Sequence, residues 1–127
     1  MSILPFDQRD GVIWMNGQLV PWKDAKLHIL SHGLHYGGSV FEGERAYDGV
    51  IFKTREHSER FKKSAELLDF EIPYSVDELI AAKDLVIKTN GVRDVYVRPV
   101  AWRGSEMMAV AAQNAKTHVA IATWQWP

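Results

Sequence analysis

The sequence contains no cysteine, so it can build neither a disulfide scaffold nor a cysteine-based zinc or redox site, which fits a reducing compartment. It also lacks a charge excess of either sign. Fifteen Lys and Arg stand against sixteen Asp and Glu, a formal charge of -1 over 127 residues. Attraction to nucleic-acid phosphates or to a membrane surface needs a clustered positive excess, which this balance does not supply. Long apolar runs are missing: stretches such as Met107 to Ala112 fall far short of the roughly 18 residues that suggest a membrane span. The opening residues, Met1 to Asp10, have no basic region, long apolar core or small-residue cleavage site of a secretory leader. A soluble, cytoplasmic chain is expected. Nor is there a Gly-rich P-loop, a Gly-x-Gly-x-x-Gly fingerprint, a Gly-x-Ser-x-Gly elbow or a His-Glu-x-x-His motif, which removes the main support for nucleotide-binding and hydrolase readings.

What is present, 46% hydrophobic and 24% charged residues, fits one globular domain. Val12 to Met15 and Gln18 to Val20 flank Asn16-Gly17, which predicts a β-hairpin, and Phe41 to Tyr47 and Val50 to Lys53 repeat the pattern around Asp48-Gly49. Gly33, Gly37 and Gly38 mark a loop before the second hairpin. From Thr54, a plausible N-cap, His57, Phe61, Ala65 and Leu68 share one helical face while Lys62, Lys63 and Glu66 can face water. Ser75-Val76-Asp77-Glu78 has the capping-box form; Val76, Leu79, Ile80, Val86 and Ile87 follow at helical spacing, and Asn90-Gly91 supplies a stop. Asp94 to Trp102 and His118 to Trp126 read as strands, the first with Tyr96 and Arg98 on one face. This order predicts an α+β domain with a largely antiparallel sheet and two main helices. Trp124 and Trp126, just before Pro127, need something to pack against, so the chain reads as a piece cut at a domain boundary.

Chemistry concentrates between Ser31 and Arg45, where glycines let backbone approach a ligand and Tyr36 and Phe41 could wall an apolar pocket. A tight turn with core aromatics is the equally open alternative. His28, His32 and His35 could ligate a metal, but no cysteine or nearby carboxylate completes the set, so packing and hydrogen bonding are expected and no metal site is assigned. Arg60 is either an anchor for an anion or a solvated helix residue. Tyr96 and Arg98 suit a carboxylate, or else a rim salt bridge with an aromatic neighbour.

Taken in order, Trp14 to Gly17, Ser31 to Gly37, Val40 to Arg45, Arg55-Glu56-His57 with Arg60, and Tyr96 to Pro99 resemble the N-terminal small domain of branched-chain amino acid aminotransferases, fold-type IV enzymes that use pyridoxal phosphate. Phe-Glu-Gly-x-Arg and Tyr-x-Arg-Pro look like this group rather than the D-amino acid aminotransferases or aminodeoxychorismate lyases, which are the alternatives within the family. The resemblance runs across almost the whole chain, making residues 1–127 one N-terminal small domain, and implies a parent protein that exchanges the amino group between Leu, Ile or Val and 2-oxoglutarate as a homodimer or higher homo-oligomer. It implies that Arg60 holds the cofactor phosphate, that Tyr36, Phe41, Tyr96 and Trp126 line the substrate pocket, and that Arg98 meets the distal carboxylate of the acidic substrate. Val110, in the loop from Gly104, would reach towards the partner subunit's site, although Ala109 stands where the family often has glycine. The Schiff-base lysine would lie in a larger domain beyond Pro127, leaving no catalytic residue here. The eight lysines present match no equivalent motif, and Lys53, Lys62, Lys63 and Lys83 read as solvated. The piece by itself is then expected to be inert, with Tyr36, Phe41, Arg60 and Arg98 bordering one shared concavity of the full protein. The alternative of a different class is a self-sufficient, non-enzymatic binding or assembly module that contacts a protein through Trp124, Trp126 and the Met-rich loop.

Overall fold

The structure is a computed structural model that describes residues 4–126. Residues 1–3 and Pro127, which enter the leader and chain-end readings, lie outside it. The first hairpin forms where Asn16-Gly17 stands, between β1 (Val12–Met15) and β2 (Gln18–Pro21). Asn16 and Gly17 both have positive φ, 50° and 92°, the mirror-image turn whose twist matches that of the flanking strands. The glycine-rich stretch expected as a loop instead winds into a short helix, α1 (His32–Tyr36), stopped by Gly37 in the left-handed conformation. The run from Phe41 to Tyr47 is two strands rather than one. β3 (Ser39–Phe41) ends at Glu42-Gly43, and β4 (Glu44–Tyr47) then turns through Asp48-Gly49 into β5 (Val50–Ile51).

Helix α2 (Thr54–Leu67) starts differently from the expectation. Lys53, at φ 53°, occupies the cap position without a side-chain cap, because it turns the corner directly out of β5, and Thr54 becomes the first helical residue. Leu68 lies past the helix end and is exposed; the chain turns through Asp69 at φ 61° and buries Phe70 and Ile72 in its place. Helix α3 (Val76–Asn90) has the full capping box of Ser75 and Glu78 and ends at Gly91, as the spacing predicts. The long strands β6 (Val95–Arg103) and β7 (Thr117–Trp124) complete a sheet in the order β2-β1-β7-β6-β4-β5, with β3 also on β6 and every pairing antiparallel.

Strand alternation divides the sheet into two faces. Trp14, Val95, Val97, Ala101, Val119 and Ile121 meet Phe61, Leu79 and Val86 of the helices in one buried core, each large side chain contributing on the order of 1.5–3 kcal/mol. Ile13, Met15, Tyr96, Arg98, Val100, Ala122 and Trp124 form the opposite face, half-buried, bordered by the short α1 and covered by neither long helix. Two lysines expected in solvent are not there. Lys83 sits on the buried face of α3, fully enclosed, paired with Glu44 at 2.7 Å and donating to Ser58 Oγ at 2.6 Å. Lys62 is half-buried and donates to the carbonyls of Ile72 and Tyr74, closing the loop between the helices. No helix among the described residues is long and apolar enough to cross a membrane.

Candidate active site

The open sheet face carries an aromatic cluster built around one cation. Arg98 lies over the ring of Phe41, 4.0 Å from its centroid, and donates from Nε and Nη2 to Tyr96 Oη at 3.0 and 2.8 Å. Tyr96 in turn packs on Trp124 and Trp126, with ring centroids 4.8 Å away in each case. Phe41, Tyr96, Arg98 and Trp126 are therefore brought together, and the two terminal tryptophans find partners within the chain. Arg98 Nη1 has no hydrogen-bond partner among the described residues. One edge of the guanidinium is thus held, and the other is available to a carboxylate.

Two local sequence features make this cluster possible. Pro99 sits in a central strand, where a missing N–H normally breaks a ladder. Its carbonyl accepts from Glu42 N at 3.0 Å, and a strand residue's N–H points to the same side as its carbonyl, so the donor that proline lacks would face the interruption between β3 and β4. Gly43 fills that interruption because a Cβ there would run into Tyr96 Oη. The glycine is required by a close approach.

Alternation along the chain sends Glu42 to the other side of the sheet, the side of Val40 and the core. Its carboxylate is 3% exposed and accepts from Arg60 Nε and Nη2 and from His57 Nδ1, all at 2.8 Å. Burial pushes the Glu42 carboxyl up, but the hydrogen bonds and charges of Arg60 and His57 outweigh this and hold it below the usual range. Arg60 itself is 67% exposed, and its Nη1 has no partner among the described residues. It is an oriented arginine rather than a freely solvated one. Glu44, two residues on, also points to the helices, where Lys83 neutralises it. The motif therefore alternates: Phe41 and Gly43 serve the open face, and the two glutamates serve the helix side.

Tyr36 and Val110 lie apart from the aromatic cluster and border a cavity of about 710 Å³ with His32 and Arg103. Tyr36 Oη donates weakly to Met108 O at 3.4 Å, and Val110 is well exposed. Arg98 borders a second, apolar groove of about 420 Å³ with Leu34, Trp102 and Lys26, and Tyr96 and Trp126 border a third of about 310 Å³. None of these three is lined by Phe41 or Arg60, so Tyr36, Phe41, Arg60 and Arg98 do not share one concavity here. A single sheet face supplies one wall, and a closed pocket needs a second. The three histidines make ordinary contacts: His28 Nδ1 accepts from Leu30 N, while the Nε2 atoms of His32 and His35 donate to Ala109 O and Ile29 O. No group of three or more possible metal ligands gathers among the described residues.

Sequence reasoning misses Glu42, Trp124 and Arg45 as parts of this site. Arg45 donates from Nη1 to Trp126 O at 3.1 Å and so ties β4 to the residues that follow β7. The signal that could find them is strand alternation, which places Arg45 with Phe41 and Gly43 and sets Glu42 opposite them.

Comparison with known proteins gives the same direction. Residues 39–127 match the family model described as amino-transferase class IV. A probable branched-chain-amino-acid aminotransferase of Rickettsia felis is 49% identical over 122 residues, covering 96% of this chain and 42% of its own length. The branched-chain amino acid aminotransferase of Escherichia coli superposes with a TM-score of 0.88 at 41% identity, over 93% of this chain and 40% of that one. The T.th. branched-chain amino acid aminotransferase in complex with N-(5'-phosphopyridoxyl)-L-glutamate gives a TM-score of 0.87 at 46% identity, over 93% of this chain and 42% of that one. The chain thus spans about 42% of the length of the first of these relatives. A family match over residues 39–127, most of the chain, means that it belongs to the class IV aminotransferase family.

Proposed function

We propose that this chain is the small domain of a cytoplasmic transaminase that moves the amino group between branched-chain amino acids and 2-oxoglutarate. The observation that carries the reading is the held guanidinium of Arg98, 4.0 Å from the centroid of the Phe41 ring, with Tyr96 Oη on one edge and its Nη1 unpartnered among the described residues. A pocket that serves both leucine and 2-oxoglutarate has to offer hydrocarbon walls and a cation in one place. When a hydrocarbon side chain enters, Arg98 keeps its hydrogen bonds to Tyr96 and its stacking on Phe41, so its charge is not left uncompensated. When an acid enters, the outer edge meets the carboxylate. Tyr36, Phe41, Tyr96 and Trp126 supply wall, and Val110 serves the site of the partner subunit in a homodimer or larger homo-oligomer.

Pyridoxal phosphate, when bound, supplies an electron sink for the substrate's α-carbon. Arg60 fits the phosphate: its Nε and Nη2 edge is taken by Glu42, and its exposed Nη1 is directed away from that carboxylate. The lysine that tethers the cofactor belongs, in this reading, to a larger domain. Support comes from the family match and from the T.th. relative, whose bound molecule joins a phosphopyridoxyl group to glutamate.

The test uses the full-length protein with pyridoxal phosphate, leucine and 2-oxoglutarate, following 4-methyl-2-oxopentanoate and glutamate. Absence of the keto acid rejects the transaminase. Arg98→Ala should lower kcat/KM for 2-oxoglutarate at least about tenfold more than for leucine, the scale of a lost charge-assisted contact. Equal losses for both substrates reject the role given to Arg98.

A further inference from the structure

Glu42 is the most deliberately placed ionisable group that the proposed reaction does not itself use. It stands at the interruption between β3 and β4, its main-chain N–H pinned to Pro99 O at 3.0 Å. Its side chain crosses to α2, where Oε2 accepts from Arg60 Nε while Oε1 accepts from Arg60 Nη2 and His57 Nδ1, each at 2.8 Å. Three donors on a carboxylate that is 3% exposed leave it no freedom to swing. The pair is also asymmetric, since Arg60 is 67% exposed. For stability alone such a carboxylate is a poor choice, because an apolar side chain would avoid its desolvation. What the arrangement does provide is orientation. A side-on carboxylate fixes the plane of the guanidinium and leaves Nη1, which has no partner among the described residues, pointing away from Glu42.

We propose that Glu42 is a positioning residue that clamps Arg60 through its Nε and Nη2 edge so that the outer edge of the guanidinium is presented in a fixed orientation to the phosphate of the cofactor. The inference rests on the reading of Arg60 as the phosphate ligand. Together with the neighbouring residue it gives one dipeptide two tasks: Phe41 supports Arg98 on the open face, and Glu42 supports Arg60 on the other. The alternation of the chain at this step is what separates them.

The sign of the effect tests the idea. Glu42 is an anion beside the proposed anion site, so charge alone predicts that Glu42→Gln strengthens phosphate binding. Positioning predicts the reverse. In the full-length protein freed of cofactor, equilibrium dialysis against pyridoxal phosphate, and separately against pyridoxal, should be run for the parent, Glu42→Gln, Arg60→Ala and the double variant. Pyridoxal lacks the phosphate and controls for general damage to the fold. The expected result is an about tenfold weaker hold on pyridoxal phosphate in Glu42→Gln, pyridoxal affinity within about twofold of the parent, and no further loss when Glu42→Gln is added to Arg60→Ala. Tighter or unchanged pyridoxal phosphate binding in Glu42→Gln, a full loss persisting in the Arg60→Ala background, or an equal loss for pyridoxal each overturns the positioning role. Unchanged pyridoxal phosphate binding in Arg60→Ala overturns the phosphate reading itself, and the positioning role with it.

Discussion

Removing Glu44 while keeping Lys83 should be among the most damaging single changes in this chain. Both side chains have 0% exposure and stand 2.7 Å apart beneath the sheet. In Glu44→Leu the ammonium of Lys83 would keep as hydrogen-bond partners the hydroxyls of Ser58 and Thr54, at 2.6 and 3.3 Å, with the Glu42 and Asp84 carboxylates acting on it only through space. An uncompensated charge in such a place costs about 3–5 kcal/mol. Lys83→Met should cost at least as much, because neither Glu44 oxygen accepts a well-aligned hydrogen bond among the described residues and the carboxylate would lose its only neighbouring cation there. The double variant removes both charges and fills the space with hydrocarbon, so it should return to within about 1 kcal/mol of the parent or exceed it. Independent effects would instead sum to about 6–10 kcal/mol. Urea unfolding followed by the fluorescence of buried Trp14, Trp22 and Trp102, at constant m-value, measures all four proteins. Either single variant costing less than about 1 kcal/mol, or a double variant as unstable as the sum, refutes the reasoning. A pH signature accompanies it. Burial pulls the Lys83 ammonium below the ordinary lysine range, against the opposing pull of Glu44. Between the lowered value and the ordinary one the unfolded chain holds more protons than the folded one, so this group makes stability rise as pH climbs through that window. Lys83→Met should remove the rise.

Two further outcomes follow from the geometry. Gly43→Ala should displace the Tyr96 ring and loosen its contacts with Arg98 and Trp124, costing about 1–3 kcal/mol and altering the near-ultraviolet circular dichroism; an unchanged spectrum would contradict the close approach. Glu106 accepts from His118 Nε2 at 2.8 Å and from Lys116 N at 2.9 Å, closing the base of the loop that carries Val110. Burial raises its carboxyl, but these partners hold it below the usual range, so its stabilisation is present above that range and lost as pH falls through the lowered value. The protection factor of the Lys116 N–H, its exchange rate relative to the intrinsic rate at the same pH, should therefore fall on acidification, and Glu106→Gln should be less protected than the parent at neutral pH; equal protection in parent and variant at neutral pH would refute the latch.

Much of the architecture is legible without coordinates because it is local. Asn16-Gly17 and Asp48-Gly49 make their turns through positive φ, and Ser75 with Glu78 starts α3, since each depends only on neighbouring residues. The alternation that puts Tyr96 and Arg98 on one strand face is equally local, and so is the ordered set of motifs behind the family resemblance. The positions that mislead are those where distant chain decides. Glycine spacing alone does not tell a loop from α1, because His32 is held by hydrogen bonds donated from its main-chain N–H to Gly104 O and from its ring Nε2 to Ala109 O. Residue type makes Lys83 look solvated, although its spacing from Leu79 and Val86 puts it on the buried stripe. The pairing with Glu44 of β4, together with the Ser58 hydroxyl, is what makes that burial tolerable. Arg60 is legible as an arginine with a possible anion. Its orientation is not, because Glu42 lies 18 residues earlier and meets it only once β3 and α2 are packed together. The sequence alone determines the hairpin turns, the α3 cap, the strand faces and the family, since these follow from covalent geometry and short spacing. The tertiary structure decides which charges are neutralised and which edges of the two arginines remain free, since electrostatics and close approach depend on distances in space rather than along the chain.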